Sequence, residues 1–227
     1  MRLYAYTMTT DNGFAPNPFH GFCTLATCKP QIRERAKNGD WVLGVGSPRN
    51  AQAGKLIYAM RVEEAMSFDD YWNDPRFQKK KPNPNGAEEP RCGDNAYHRC
   101  TDSRDWIQEH CYHSLNNGCQ NPTSTAHDTK SLRVLISEHF AHYGKNAIDI
   151  PAHIMFYDEE DRFSGIRNYR CDFSPSTLER YIVEWLQDLT RTPGIHDTPT
   201  HWNSTNKPSC VANPTPSSKA TPNPCSN

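Results

Sequence analysis

The feature that most constrains the fold is a pair of apolar, strand-like segments joined by a short connection. The segments DWVLGVG (40–46) and KLIYAMRV (55–62) are separated by SPRNAQAG, which carries turn-forming residues. Strands joined in this way pair antiparallel, whereas parallel neighbours need a crossover of a dozen or more residues. The hairpin therefore excludes a βαβ unit here and favours an α+β fold with a mainly antiparallel sheet.

Other segments supply strands and helices around this hairpin. Apolar alternation or short apolar runs predict strands at 2–8, 132–136 and 153–157. Pro30 opens a predicted helix that ends at Asn38-Gly39, and Ser67 caps a short helix over FDDYW. A final helix follows Ser174-Pro175, and its apolar positions recur at helical spacing: Leu178, Ile182, Trp185, Leu186 and Leu189.

Composition divides the chain into one domain and a tail. Residues 193–227 hold seven of the 18 prolines and almost no aliphatic residues. Such a segment cannot bury enough apolar surface to offset the entropy lost on ordering. We therefore expect a single domain over 1–192 and a disordered tail over 193–227 that is rich in Pro, Ser, Asn and Thr.

The net charge and the cysteine content limit the expected location and partners of the protein. The net charge is −1, so no global field attracts the chain to nucleic acid or to an anionic membrane. No apolar run reaches the roughly 20 residues of a membrane span, and the N-terminus lacks the apolar core of a signal peptide. The nine cysteines are an odd number, and together these features predict reduced thiols in the cytoplasm and no membrane partner.

A cysteine- and histidine-rich middle region raises the question of a metal. Its spacings do not match the close Cys pairs of a zinc knuckle, so we expect scattered free thiols and no bound metal. The alternative is a zinc-stabilised structural or interaction protein. In that alternative the weak ligand candidates are Cys111, His113, Cys119 and His127.

Motifs for common enzyme classes are absent from the sequence. It contains no zinc deaminase signature, no triphosphate or dinucleotide loop and no nucleophile elbow. The sequence therefore does not identify a cofactor.

The segment GFAPNPFHGFCTLATCKPQIR (13–33) is the best candidate for a functional loop. Its first eighteen residues, 13–30, have no helix or strand pattern, and such a stretch is uncommon in compact domains unless it is functional. His20 and Cys23 could form an activated thiol, although a buried, inert Cys23 is the more frequent outcome for a free cysteine. Lys29 and Arg33 flank a helix start, which is a favourable place for an anion.

Two family resemblances extend these expectations. The segment KNGDWVLGVGS with GKLIYAMRVEEAMSFDDYW resembles the EVE and YTH branch of the PUA-like superfamily, over about residues 36–72. That resemblance implies a small, mainly antiparallel β-barrel, or a strongly bent sheet with flanking helices, that binds nucleic acid.

The second resemblance covers about residues 1–190. The strings GFAPNPFHGFCTLATCKPQIR, GDWVLGVGS, YAMRV, SFDDYWNDPRF, GDNAYH, RVLIS and HYG resemble, in order, those of the second family of nucleotide modification associated domains. This resemblance implies a role in phage and bacterial systems that hypermodify DNA bases. The implied partners are DNA or a nucleotide and other enzymes of the same system.

These observations leave two main functions open. In the first, the protein modifies a nucleotide or a DNA base, and the catalytic candidates are His20, Cys23, Asp94 and His98. In the second, it is a non-enzymatic reader of modified DNA that stacks a base on Trp41, Tyr58 and Tyr97. In either case the nucleotide-binding candidates are Asn17, Thr24, Lys29, Arg33, Asp40, Trp41, Asn95 and Tyr97.

Two basic segments are candidate phosphate contacts. One holds Lys29, Arg33, Arg35 and Lys37, and the other holds Arg76 and the lysines at 79–81. Local basic patches can hold phosphates even when the net charge is near zero. The alternative is that these charges are simply solvated.

Overall fold

Strand β1 (Leu3–Met8) and the hairpin of β3 (Trp41–Gly46) and β4 (Lys55–Arg61) lie at the centre of the computed structural model, which describes residues 1–202. The predicted hairpin is confirmed, because β3 and β4 pair antiparallel with Val42 opposite Met60. Strand β1 pairs with β3 in parallel, so the sheet is mixed.

Three short strands complete this first sheet on the β4 side. They are β9 (Phe140–His142), β10 (Ile148–Asp149) and β11 (Gly194–Ile195), and the main order is β1-β3-β4-β9-β11, with β10 also paired to β4. Strands β4 and β9 are antiparallel, whereas β9 and β11 are parallel.

A second sheet contains β2 (Cys23–Leu25), β5 (Glu64–Ser67) and β8 (Arg133–Ser137), in the order β2-β8-β5. All its pairs are antiparallel. A separate hairpin joins β6 (Tyr97–Arg99) to β7 (Trp106–Gln108). Strand β2 lies within the opening segment, where the sequence showed no strand pattern.

The predicted barrel is wrong, since none of the sheets in residues 1–202 closes on itself. The chain leaves the first sheet after β4, and β5 pairs with β8 of the second sheet. The PUA-like pattern is local: it describes one hairpin and the helix after it, and it does not determine which strands lie at the sheet edges. The fold is α+β with several small sheets.

The helices follow the local signals in most cases. They are α1 (Pro30–Arg35), α2 (Phe68–Asn73), α3 (Glu88–Arg91), α4 (Pro122–Asp128), α5 (Ala152–Met155) and α6 (Ser176–Leu189). The Ser67 hydroxyl caps α2 by accepting from the Asp70 N–H at 3.1 Å. Helix α6 begins one residue later than its predicted cap implies, because Pro175 occupies the capping position.

The predicted strand at 153–157 is wrong. Residues 152–155 form α5, followed by a 3₁₀ turn at Tyr157–Glu159. A short apolar run does not distinguish a strand from one buried helical turn. Here Ile154 and Met155 are buried against the core beneath α6.

The first sheet is covered on both faces. Leu3 and Ala5 of β1 pack in a core with α5 and α6, whereas Tyr4 and Tyr6 pack on the opposite face, in a core shared with β2 and α1. The second sheet separates that core from a third, in which Val134 is buried together with residues of α2 and the β6–β7 hairpin. None of the helices in 1–202 has the length and apolar character needed to cross a bilayer.

Residues 193–202, which we expected to begin the disordered tail, are instead packed on the domain. The Lys145 N–H donates to the Thr198 carbonyl at 2.9 Å, and the Trp202 indole donates to the Asn12 carbonyl at 2.8 Å. The Trp202 ring stacks on Phe19, with ring centres 5.2 Å apart. Backbone pairing and one aromatic residue hold this segment where aliphatic content is low. The rest of the expected tail, 203–227, lies outside the described residues.

Candidate active site

A cavity of about 740 Å³ opens between the end of β1, the start of α1 and the irregular chain around α4. Pockets that bind small molecules and cofactors have volumes of about 300–1,000 Å³. Its walls include Tyr6, Phe14, Cys28, Lys29, His113 and Lys130.

Cys28 lies where the chain passes from β2 into α1. Cys28 and Lys29 both have positive φ, 56° and 39°, and they directly precede Pro30. Non-glycine residues seldom adopt this left-handed conformation, and such strain persists only where the surroundings enforce it. The enforcing contact at Cys28 is a hydrogen bond of 2.8 Å from its N–H to Asp128 Oδ1.

Cys28, His113 and Asp128 form a linear arrangement of side chains on the cavity wall. Cys28 Sγ lies 3.6 Å from His113 Nε2, and His113 Nδ1 lies 2.6 Å from Asp128 Oδ2. A thiol, an imidazole and a carboxylate in this order are the groups of a nucleophile, its general acid or base, and the group that orients the base.

Asp128 is completely buried and its carboxylate accepts four hydrogen bonds. Oδ1 receives the Cys28 N–H and lies 3.2 Å from His127 Nδ1, while Oδ2 contacts His113 Nδ1 and accepts from the Tyr97 hydroxyl at 2.9 Å. Burial alone would raise the pKa of Asp128, but the hydrogen bonds from His113 and the other donors lower it below its ordinary value. The carboxylate is therefore ionised and held in one orientation.

The charge state of His113 follows from the same contacts. Burial alone would lower its pKa, but the hydrogen bonds to Asp128 and Cys28 together raise the pKa of His113 to about 10. The ring is thus an imidazolium at neutral pH. A cationic imidazole beside a thiol is the environment that activates cysteines as nucleophiles.

Cys28, His113 and Asp128 are also the group in residues 1–202 whose ligand atoms could surround a metal ion. The hydrogen bonds argue against that role. An ionised carboxylate offers about four lone-pair sites, and those of Asp128 are all used by donors. The predicted candidates Cys111 and Cys119 are not part of this group.

Arg33 holds the two ends of this arrangement together. It is completely buried, and its Nε donates to the Cys28 carbonyl at 2.9 Å while one terminal nitrogen donates to the Asp128 carbonyl. The other terminal nitrogen donates to the carbonyls of Ser131 and Arg133. Arg33, predicted to bind nucleotide, is enclosed and acts as a positioning residue for Cys28 and Asp128.

Four of the predicted site residues lie together in a different, solvent-free network. The Lys80 amine donates to the Asn17 side chain at 2.6 Å and to the Thr24 hydroxyl at 3.1 Å. Asp94 accepts from Thr24 at 2.7 Å, and Asn95 donates to the backbone beside it. All five side chains are buried, so this network anchors the opening segment and offers no surface to a ligand.

Three other predicted residues are also enclosed. Cys23 and Trp41 are fully buried in two different apolar cores, and burial raises the pKa of the Cys23 thiol far above its ordinary value. Asp40 is 4% exposed and accepts the backbone N–H groups of Arg2 and Lys37. A thiol without access to its anion is a poor nucleophile.

The two remaining catalytic candidates lie away from the cavity lining. His20 Nδ1 lies 3.5 Å from a Glu89 oxygen, and burial lowers the pKa of His20. His98 stacks on Trp72 and bonds to Glu109 at 3.0 Å. These contacts bring neither imidazole near Cys28.

Two predicted binding residues do reach the site. Lys29 lines the cavity, with its amine 4.5 Å from the centre of the Tyr6 ring. Tyr97 is buried and donates its hydroxyl to Asp128, so it supports the carboxylate and leaves no face for a base.

The sequence did not predict Cys28, His113 and Asp128 as a catalytic group, and His113 was named there only as a candidate zinc ligand. Cys28, His113 and Asp128 are 85 and 15 residues apart along the chain, and no motif with fixed spacing connects them. One signal was present: Cys28 directly precedes the Lys29-Pro30 helix start.

Comparisons with known proteins give one match. A family model described as nucleotide modification associated domain 2 matches residues 1–206. No curated protein and no solved structure matches.

Proposed function

Because the chain belongs to the nucleotide modification associated domain 2 family, we propose that it is a cysteine-dependent enzyme acting on a nucleotide within a modification system. Cys28 is the nucleophile, His113 is the general acid and base, and Asp128 orients His113. The observation that carries this proposal is the contact of 3.6 Å between Cys28 Sγ and His113 Nε2 on the wall of the cavity.

The residues support a two-step covalent mechanism. The Cys28 thiolate attacks an electrophilic carbon of the nucleotide or of the group being transferred, so that a carbon–sulfur bond forms. The bond to the leaving group breaks, and the leaving group takes the proton from His113 Nε2. Water or a second nucleophile then gives its proton to His113 and displaces Cys28 as thiolate.

The surroundings of the triad are consistent with this role. His113 is cationic at neutral pH, as the mechanism requires before the first proton transfer, and Asp128 has no free lone pair with which to change partners. Arg33 fixes the backbone at both Cys28 and Asp128. A general base works through short distances that are set in advance.

The alternative of a base reader has less support. Its three stacking candidates, Trp41, Tyr58 and Tyr97, are all fully buried. Stacking needs an accessible aromatic face. A reader built on these rings would have to open the core.

The proposal predicts selective alkylation of Cys28. We expect iodoacetamide at pH 6.5 to modify Cys28 at least about tenfold faster than Cys119 and Cys171, since the His113 ring lies 3.6 Å from Cys28 Sγ and can assist the displacement. Peptide mass spectrometry resolves the three sites. Cys119 and Cys171 are free and exposed, so they act as internal controls in the same sample.

The variant His113→Gln separates activation from simple access. It keeps a polar side chain of similar length but cannot carry the charge, so the rate at Cys28 should fall to that of the exposed controls. Equal rates in the wild type would show that Cys28 is not activated and would overturn the proposed mechanism.

A cellular measurement connects this reactivity to modification. We expect nucleosides from cells that express the wild-type chain with its native partner genes to include a modified species. That species should be absent with Cys28→Ser and present with Cys171→Ser.

A further inference from the structure

We propose that the cavity beside Cys28 binds a single nucleotide through its terminal phosphate, and that Lys29 and Lys130 supply the phosphate contacts. This inference rests on the proposed function, because it assigns the substrate of the same site. The ligand is a nucleoside 5′-monophosphate, not a base within a polynucleotide.

The charge of the cavity wall is the first observation. Lys29, Arg35 and Lys130 line it, together with a cationic His113, whereas Glu34 is its single acidic residue among those described. The Glu34 carboxylate accepts from the Ser131 hydroxyl at 3.0 Å. The cavity therefore carries a net positive charge although the chain carries −1.

His113 is paired with Asp128, but the other cations that line the cavity, Lys29, Arg35 and Lys130, form no ion pair within residues 1–202. Elsewhere basic groups pair closely, as Arg76 does with Glu64 at 2.9 Å and with Asp74 at 2.7 Å. By contrast the Lys29 amine contacts the Asn168 carbonyl at 3.3 Å and the face of Tyr6. Burial lowers the pKa of Lys29. A partly buried cation without a carboxylate is stabilised by an anion, and phosphate offers three acceptor oxygens.

The walls also provide for a base and a sugar. Tyr112 is partly exposed on the cavity wall, and the buried Phe14 packs against it and against the His113 ring, with ring centres 5.9 Å and 4.9 Å apart. Hydroxyl and amide side chains of Thr7, Thr10 and Asn12 lie on the same wall. Aromatic surface with a few polar groups is typical of sites that hold a nucleobase and its sugar.

Neither of the two predicted basic segments presents a continuous row of exposed cations to a longer polyanion. Arg33 in the first basic segment and Lys80 in the second are fully buried, and both donate to protein oxygens. Lys81 lies over the Trp72 ring at 3.6 Å. Polynucleotide binding depends on several exposed cations along the strand. A cluster of cations confined to one cavity fits one phosphate group better.

The test measures binding to the full-length Cys28→Ser protein, so that no reaction interferes. Calorimetric titration would use the four common ribonucleoside 5′-monophosphates, the four deoxyribonucleoside 5′-monophosphates and the matching nucleosides. Inorganic phosphate and a single-stranded DNA of about ten nucleotides complete the set of ligands. We expect at least one monophosphate to bind with Kd below about 1 mM, and about tenfold more tightly than its nucleoside or phosphate alone.

Two lysine variants and one control then locate the phosphate. Lys29→Met and Lys130→Met should each weaken the monophosphate about tenfold, which is the effect of one lost charge-assisted contact. Lys145→Met is the matched control, since Lys145 is exposed and lies outside the cavity lining, and its affinity should not change.

Three outcomes overturn the inference: no monophosphate binds, the nucleoside binds equally well, or the oligonucleotide binds more tightly. Failure of this inference is distinguishable from failure of the proposed function. Rapid alkylation of Cys28 that no nucleotide slows would remove the inference and leave the cysteine mechanism. Nucleotide binding next to an unreactive Cys28 would remove the mechanism and leave the binding site.

Discussion

At the scale of single residues, identifiable contacts stabilise the strained backbone conformation at Cys28 and Lys29. Each left-handed residue costs on the order of 1–3 kcal/mol, and Pro30 further disfavours the conformation of Lys29. The opposing contacts at Cys28 are its N–H bond to Asp128 and its carbonyl bond from Arg33. Because those contacts also orient the nucleophile, the strain and the geometry of the site have the same origin.

The ionisation of His113 predicts a pH-dependent contribution to stability. The pKa of His113 in the folded chain is about 10, above its ordinary value of 6.5. A raised pKa means that the stabilising charge is fully present below pH 6.5 and is lost as the pH rises to about 10. The free energy of unfolding that His113→Gln removes should therefore be largest near pH 6 and shrink steadily toward pH 10.

Chemical denaturation of the wild type and the variant at several pH values measures this difference. Other groups, such as Lys80, titrate in both proteins and so cancel in the comparison. A loss that stays constant across the range would show that His113 is not held as a cation by Asp128.

At the scale of elements, one buried lysine joins three segments. Lys80 ends the 3₁₀ turn after α2 and donates to Asn17 and to the Phe22 carbonyl of the opening segment, as well as to Thr24 of β2. Thr24 in turn donates to Asp94. Burial lowers the pKa of Lys80 to about 8 and raises that of Asp94, so the enclosure disfavours both charged forms, and the attraction between the two charges opposes this effect.

Removing Lys80 should destabilise the domain more than an ordinary core substitution of the same size. We expect Lys80→Met to lower the free energy of unfolding by about 3–5 kcal/mol, because it leaves several buried acceptors without a donor and removes the charge that opposes the burial cost of Asp94. Adding Asp94→Asn should recover part of that loss.

A double-mutant cycle from urea denaturation measures this coupling. Purely additive losses would mean that Lys80 and Asp94 do not stabilise one another. The control pair is Lys80→Met with Ile182→Val, two positions in separate parts of the core, where additivity is expected.

Elements with local signals could be predicted from the sequence. The β3–β4 hairpin, α1, α2 and α6 each carry caps, turns or helical periodicity within their own residues. Strand β2 could not, because its three residues are defined by pairing with β8, where Cys23 lies opposite Ser137. The site could not be predicted for the same reason, because Cys28, His113 and Asp128 meet only when loops distant in sequence pack together.

Burial explains the other misplaced residues. Asn17 and Thr24 were selected from the opening segment and Asp94 from GDNAYH, and the structure does bring them together. Their partner is Lys80, which the sequence presents as one of three lysines in a charged run. Nothing in that run marks which lysine turns inward.

At the scale of the whole molecule, the C-terminal segment braces the wall of the cavity. Asp11 accepts from the Thr200 N–H at 2.9 Å and contacts the His142 ring at 3.3 Å. The next residue, Asn12, lines the cavity and accepts from Trp202. Composition alone favoured a dispensable tail after Pro193, and these contacts argue the opposite for 194–202.

Truncation after Pro193 should therefore lower the melting temperature by about 5 °C or more, since it removes β11 and leaves the buried Asp11 with fewer donors. Truncation after Trp202 is the control, because it keeps every contact described for this segment. Differential scanning calorimetry of the two shortened chains and the full chain gives the comparison. Equal melting temperatures for all three would show that the segment contributes nothing.

Helix α6 lies on the face of the first sheet opposite the core of Tyr4 and Tyr6, and Tyr6 also forms part of the cavity wall. Its outward residues, such as Arg180 and Glu184, are well exposed. A fluorophore or a surface tether attached there would leave the route to Cys28 unobstructed. The same molecule could then be immobilised through α6 while nucleotides and alkylating reagents reach the other side of the sheet.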